Sequence, residues 1–139
     1  MLDYLHTEGI SHRDIKLENV LLDNNNNVKL IDFGFSTQFS PRKKVKMFCG
    51  TPSYMAPEIV SRVEYCGPPS DIWASGVLLF CLLNGYFPFK GQSDAELYRR
   101  ISRGMFKILR TDLSDDCLSV LKEMLNVNAD TRLSASELL

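Results

Sequence analysis

The stretch "DIWASGVLLFCLLNG", residues 71–85, is apolar on nearly every side. A helix with that pattern belongs in the middle of a core, so the remaining chain has to be arranged around it. Ser70 or Asp71 is the expected cap and Gly85 the stop. The chain has 139 residues, enough for one domain with a real core. Weaker helical patterns follow. Residues 93–104 are amphipathic, with Ser93 and Glu96 in capping-box spacing and Gly104 as the stop. Residues 113–125 start from a Ser114 cap and place Leu118, Leu121, Met124 and Leu125 on one face. Residues 1–8 read as the tail of a helix closed by Gly9, and 134–139 as the start of another.

Two short apolar runs, "NVLLD" at 19–23 and "VKLID" at 28–32, flank four asparagines. Asparagine tolerates positive φ, so the segment predicts a hairpin and the Asn run a lengthened turn. Residues 33–57 show no clean period. They hold Gly34, Pro41, Gly50, Pro52 and Pro57 around a basic run, "RKKVK" at 42–46, which reads as a solvated loop. An irregular stretch of that length in a compact domain is usually functional. No internal repeat is visible.

Hydrophobic residues make up 45% and charged residues 24%, with a net charge of −1, which is ordinary globular composition. That balance argues against nucleic acid or an anionic membrane surface as partner. Cys49, Cys66, Cys81 and Cys117 fall outside metal-ligand spacing and are expected to be reduced, mostly buried thiols. The N-terminus lacks the pattern of a signal peptide. The longest apolar run, about Val77 to Leu83, falls short of the ~20 residues a membrane span needs. The expectation is a soluble cytoplasmic protein, with the nucleus as the alternative.

Chemistry concentrates at "SHRDIKLENVLL", residues 11–22. His12-Arg13-Asp14 and Asn19 fit the H-R-D-x-x-x-x-N pattern; Asp32-Phe33-Gly34 and Ala56-Pro57-Glu58 follow in order. Each motif alone is weak, but all three at these separations are specific. On these residues the whole chain resembles the protein kinases, in particular the larger C-terminal lobe of a Ser/Thr kinase. "DFGFS", "FCGTPSYMAPEIV" and "LLNGYFPFKGQSDAELYRRISRGMFKI" resemble the calcium/calmodulin-kinase and AMP-activated-kinase-like group.

The resemblance implies a mainly α fold with a small β-hairpin at the active site. It divides the chain into a catalytic loop at 12–19, an activation segment at 32–58 and a helical subdomain at 70–139. It implies ATP and Mg²⁺ as cofactors and protein Ser/Thr hydroxyls as acceptors. Asp14 would take the hydroxyl proton and Lys16 would clamp the transferred phosphate. Asn19 and Asp32 would hold Mg²⁺, and Leu21 would floor the adenine. Glu18 falls in the nucleotide-side set and matches an acid that in some relatives binds a basic substrate residue; its frequent companion is replaced by Cys81. Phe33, Gly34, Cys49, Gly50, Thr51 and Pro52 would form the activation and substrate-docking segment, with Thr51 a site residue and not a phosphosite. His12 and Phe33 would stack beneath the site. Arg13, Glu58, Asp71 and Arg132 would be structural: Asp71 binding the catalytic-loop backbone or capping its helix, and Glu58 pairing with Arg132.

Three departures accompany the resemblance. The sequence holds no G-x-G-x-x-G loop, V-A-I-K lysine or following helix glutamate, so the smaller lobe is expected from upstream sequence and little activity from these residues alone. Met47 stands where many relatives carry a phosphorylatable Thr; the loop either orders without that modification or uses Ser36, Thr37, Ser40 or Ser53. "NADTR" lacks a frequent Pro before its Arg, which should alter only local turn rigidity. The alternative to a catalytic lobe is a non-catalytic docking module of the same fold.

Overall fold

The computed structural model describes residues 1–40 and 44–139. Pro41 and the first two residues of the basic run lie outside the described residues. The helices are α1 (Leu2–Thr7), α2 (Pro57–Val60), α3 (Gly67–Asn84), α4 (Asp94–Arg103) and α5 (Asp115–Met124). Four short strands form two antiparallel pairs. β1 (Ile10–Ser11) pairs with β4 (Thr37–Gln38), and β2 (Val20–Leu22) with β3 (Val28–Leu30). Single 3₁₀ turns cover Leu17–Asn19 and Pro52–Tyr54. The fold is mainly α with only small strand pairs, as the resemblance implies.

α3 is the centre. Trp73, Val77 and Phe80 are fully buried along it. Phe89 stacks on Trp73 with centroids 5.6 Å apart, and Phe106 meets Phe80 edge-on. α3 begins at Gly67, earlier than its expected cap: Cys66 is the N-cap, and Pro68 and Pro69 lie in the first turn. Proline is tolerated there because the first-turn N–H groups have no intrahelical partner anyway. Ser70 and Asp71 are therefore inside the helix, which frees the Asp71 carboxylate for other work. Gly85, at φ 76°, ends α3 as expected.

α4 and α5 close over the core with the predicted caps. Ser93 Oγ accepts from Glu96 N and Ser114 Oγ accepts from Cys117 N. The Glu96 carboxylate reaches back to Gln92 N, one residue beyond the usual capping box. Gly76 marks the α3–α5 crossing: a Cβ there would lie 2.9 Å from that of Met124. Leu121 and Met124 on α5 and Leu125 just past its end are buried, and Leu118 only partly.

The remaining corrections concern the chain's short pieces. Residues 134–139 form a turn and not a helix, because Ser134 spends its Oγ and N–H on Glu137 and one i→i+4 bond, Leu138 N to Ser134 O, follows. A single bonded turn does not repay helix nucleation. The four cysteines are free thiols, but Cys49 alone is buried and the other three are half-buried. Lys44 and Lys46 are exposed, as a solvated loop requires, and Lys46 lies 3.5 Å from Glu64.

Candidate functional site

The β2–β3 hairpin carries the site. Asp23 Oδ1 accepts from Asn25 N and Asn27 N, and Asn26 adopts φ 61°, so the asparagines make the turn. Ile31 N donates to Asn19 O and extends the ladder by one step. Asp32 thereby returns to the end of the hairpin where Asn19 sits. Val20 and Leu30 pair on one face; Leu21 and Lys29 pair on the other. Leu21 is 48% exposed, with its side of the hairpin open.

Asp71 fixes the catalytic loop. Its carboxylate is fully buried and accepts from His12 N at 2.9 Å, Arg13 N at 2.7 Å and Ser11 Oγ at 2.8 Å. His6 Nε2 lies 3.0 Å from the same carboxylate. Two consecutive backbone N–H groups aimed at one side chain force a sharp turn. Arg13 adopts φ 66°, a strained conformation for a non-glycine residue that these bonds hold. Gly67 lets Ser11 in: a Cβ on Gly67 would lie 2.4 Å from the Ser11 side chain. Asp71 tethers the loop and does not cap its helix.

Past that turn, four side chains converge. Lys16 Nζ is 2.7 Å from Asp14 Oδ2 and 3.2 Å from Thr51 Oγ1. Thr51 Oγ1 donates to Asp14 Oδ1 at 3.0 Å. Asn19 Nδ2 donates to Asp14 O at 2.8 Å and to its Oδ2 at 3.3 Å. Burial alone would raise the Asp14 pKa, but the Lys16, Thr51 and Asn19 donors outweigh it and hold the carboxyl below its usual range. The hydrogen bond to Asp14 likewise pushes the Lys16 ammonium up. The result is a fixed ion pair at the rim of the fold, with Asp14 buried and Lys16 half-buried.

Asn19 spends its amide nitrogen on Asp14, and its Oδ1 receives no hydrogen bond among the described residues. Asp32 is exposed at φ 62° and accepts from Gly34 N at 3.1 Å. An amide oxygen and one carboxylate are hard donors. They suit Mg²⁺, which takes its other ligands from phosphate and water and does not need an all-protein cage. No cluster of three His, Cys, Asp or Glu ligands exists among the described residues. His12 is buried beneath this point. Phe33 packs on its edge with centroids 4.9 Å apart, and its Nε2 lies 3.0 Å from Ile31 O.

The segment that brings Thr51 to Asp14 is held at several points. Gly50, at φ 111°, passes close to Arg13 O, and Pro52 opens the next 3₁₀ turn. Cys49 is buried with Sγ 3.9 Å from the Tyr65 hydroxyl. Tyr54 Oη accepts from Leu17 N at 3.3 Å, linking the segment to the catalytic loop. Glu58 and Arg132 form the expected pair, with Nη1–Oε1 at 2.8 Å and Nη2–Oε2 at 3.1 Å. Glu18 is exposed. Cys81 lines an apolar cavity of about 310 Å³ with Leu17, Tyr54, Tyr86 and Phe87. Burial pushes its thiol pKa up, so it stays uncharged there.

Sequence reasoning missed three supports: His6, Ser11 and Tyr54. Each acts on a partner 37 to 65 residues away, and none sits in a spacing that announces it.

A helical lobe that brings a clamped Asp–Lys pair and two hard oxygen donors to one hairpin end holds the residue types that phosphoryl transfer uses. The sequence profile described as "Protein kinase domain" matches residues 1–139, and the chain belongs to that family. It is 43% identical over 138 residues to "Probable serine/threonine-protein kinase MARK-A" of Dictyostelium discoideum, covering 99% of this chain and 13% of that protein. It is 42% identical over 139 residues to "CBL-interacting protein kinase 19" of Oryza sativa subsp. japonica, covering 98% of this chain and 27% of the relative. "CBL-interacting serine/threonine-protein kinase 13" of Arabidopsis thaliana is 41% identical over 139 residues, with 98% and 28% covered. The chain thus spans less than a third of the length of each of these relatives.

Proposed function

We propose that this chain forms the catalytic face of a Ser/Thr protein kinase, which moves the γ-phosphoryl group of ATP to a protein Ser or Thr hydroxyl. The observation that carries the reading is the Asp14–Lys16–Thr51 cluster at 2.7–3.2 Å. Asp14 is too acidic to strip a proton from a free hydroxyl. It accepts a hydrogen bond from the acceptor Ser or Thr, aims that oxygen at the phosphorus, and takes the proton late. Lys16, held by the same carboxylate, balances charge on the transferred group. Thr51 bonds to both side chains and ties them together. Asn19 and Asp32 are the residues that would hold Mg²⁺, which supplies charge neutralisation on the phosphates when bound. Leu21, on the open face of the hairpin, would carry the adenine.

The 139 residues alone leave Leu21 and Asp32 open to water, where electrostatic catalysis is weak. The isolated chain is therefore expected to transfer little phosphate. The test is transfer from labelled ATP with Mg²⁺ to a Ser-containing peptide, by the isolated chain and by the longest polypeptide that contains it. Transfer by the longer polypeptide, lost in Asp14→Asn, supports the reading. Transfer that survives Asp14→Asn sinks it.

One observation favours a docking module instead. A fully apolar groove of about 280 Å³, lined by Ile15, Val20, Leu30, Leu78 and Leu82, lies between the β2–β3 hairpin and α3. That reading expects partner binding which Asp14→Asn leaves unchanged, and no phosphate transfer by any form of the chain.

A further inference from the structure

Arg13 is only 9% exposed, yet its guanidinium is incompletely paired. Nε donates to Phe35 O at 2.7 Å. Nη2 points at the Met47 sulfur, 3.8 Å away. Nη1 is buried with no hydrogen-bond partner among the described residues. The Tyr65 hydroxyl lies beside the guanidinium as well, but a thioether is a weak acceptor, so the side of this buried cation that faces Met47 is poorly satisfied.

Met47 is fixed in place from its own backbone. Its carbonyl accepts from the Tyr65 hydroxyl at 3.0 Å, and two residues earlier Val45 forms a backbone bridge with Tyr65. Burial pushes the Tyr65 phenol up to about 12, so it remains a donor across the working pH range. Met47 is nevertheless 53% exposed and lines an open pocket of about 310 Å³ with Lys46, Phe48 and Arg62. Its sulfur thus faces a buried cation on one side and solvent on the other.

We propose that Met47 is an oxidation site whose sulfoxide is read by Arg13. A hydroperoxide entering the open pocket supplies the oxygen. A sulfur lone pair attacks the distal peroxide oxygen, the S–O bond forms and the O–O bond breaks. The sulfur loses two electrons, and the leaving oxygen takes a proton and departs as water or alcohol. The sulfoxide oxygen is a strong acceptor beside Nη2, which lies 3.8 Å from the sulfur. Charge-assisted bonds of this kind are about twice as strong as neutral ones. Oxidation would then tighten the segment around residues 44–50 onto Arg13, where a methionine sulfoxide in an apolar core would loosen it. One sulfoxide epimer points its oxygen at the guanidinium, so the effect is stereospecific.

Met1 and Met105 are exposed as well, at 55% and 80%, but no hydrogen bond reaches their sulfurs among the described residues. They serve as internal controls. The proposal does not depend on phosphate transfer, because its readout is backbone protection. The intact chain is treated with hydrogen peroxide, oxidation is mapped by peptide mass spectrometry, and amide hydrogen exchange is measured over residues 44–50. Oxidised Met47 should slow exchange there about threefold or more. One of the two epimer-specific sulfoxide reductases should restore the original rate. Peroxide-treated Met47→Leu chain, oxidised at Met1 and Met105, should show no slowing, and Met47→Gln should slow exchange without peroxide. Exchange that is unchanged or faster on Met47 oxidation, slowing that persists in Met47→Leu, or failure of peroxide to oxidise Met47 overturns the proposal.

Discussion

Arg132 closes a two-pronged ion pair on Glu58 from 74 residues away, at 2.8 Å and 3.1 Å. The same guanidinium donates to Pro69 O and Asn126 O and lies 5.1 Å from the Trp73 ring centre. One side chain thus joins the end of the activation segment, the start of α3, the turn after α5 and the core aromatic. The Arg132 side chain is wholly buried and that of Glu58 is 9% exposed, so water cannot replace a lost partner. Glu58→Ala should cost about 3–5 kcal/mol, since it leaves a buried charge unpaired. Arg132→Lys should also destabilise, because an ammonium cannot serve a bidentate carboxylate and two carbonyls together. Urea unfolding of the variants measures both. A loss below about 1 kcal/mol for Glu58→Ala would mean the pair behaves as a surface pair.

Asp14 gives a pH signature. Its carboxyl is buried, which opposes ionisation, yet its donors hold the folded pKa below the ordinary value of 3.8. A depressed folded pKa means that the charged form favours folding. That contribution is fully present above the ordinary value and is lost as pH falls through the folded one. Lys16→Met removes the strongest lowering partner and keeps the burial. The Asp14 carboxyl should then titrate higher than in the parent chain, read from its carboxyl ¹³C shift. An unchanged or lower midpoint would show that Lys16 is not what ionises it.

How far the sequence spoke depends on the length over which a signal accumulates. The body of α3 was legible because all-round apolarity over four turns has one physical reading. Its start was not: "CGPPS" looks like a break, yet proline fits a first turn. β1 and β4 were invisible, since two-residue strands exist only where Phe39 N meets Gly9 O and their neighbours align. α2, four residues long, has no period to detect. In the site, Asp14, Lys16, Asn19 and Asp32 could be picked out by spacing because a hairpin brings fixed offsets together. That Thr51 belongs to the site came only from the resemblance, and the parts played by His6 and Ser11 from neither. Asp71 itself is ambiguous in sequence, since the same residue type caps helices and tethers loops; the helix starting at Gly67 decides it.

The Asp71 tether depends on close backbone approach, so a single methyl group should disturb it. In Gly67→Ala the new Cβ would meet Ser11 at 2.4 Å, with no room for either to yield against buried neighbours. Ser11 should lose its bond to Asp71, and the turn at Arg13 should loosen. Asp71→Asn should do the same by replacing a carboxylate that serves several donors with a weaker acceptor. Both variants should speed amide exchange at His12 and Arg13 by about tenfold or more, ahead of the rest of the fold. Global unfolding with no local effect would place Gly67 and Asp71 in general packing and not in loop positioning.

Cys81 offers a change of specificity. It lines the 310 Å³ cavity beside Leu17 and Tyr54, at the position where the family resemblance expects an acidic companion to Glu18. Glu18 follows Leu17 of that lining and is an acid, whereas the thiol at 81 stays uncharged. Cys81→Glu should therefore create a paired acidic site. The ratio of kcat/KM for a peptide with Arg upstream of the acceptor to that for its Ala counterpart should rise about tenfold, the equivalent of about 1.4 kcal/mol. The assay uses the longest active polypeptide that contains these residues, and the Ala peptide controls for general loss of activity. A ratio that stays constant while both peptides slow would show that the cavity does not contact substrate. A ratio that rises while Glu18→Gln cancels the gain would show that the two positions act on the same substrate residue.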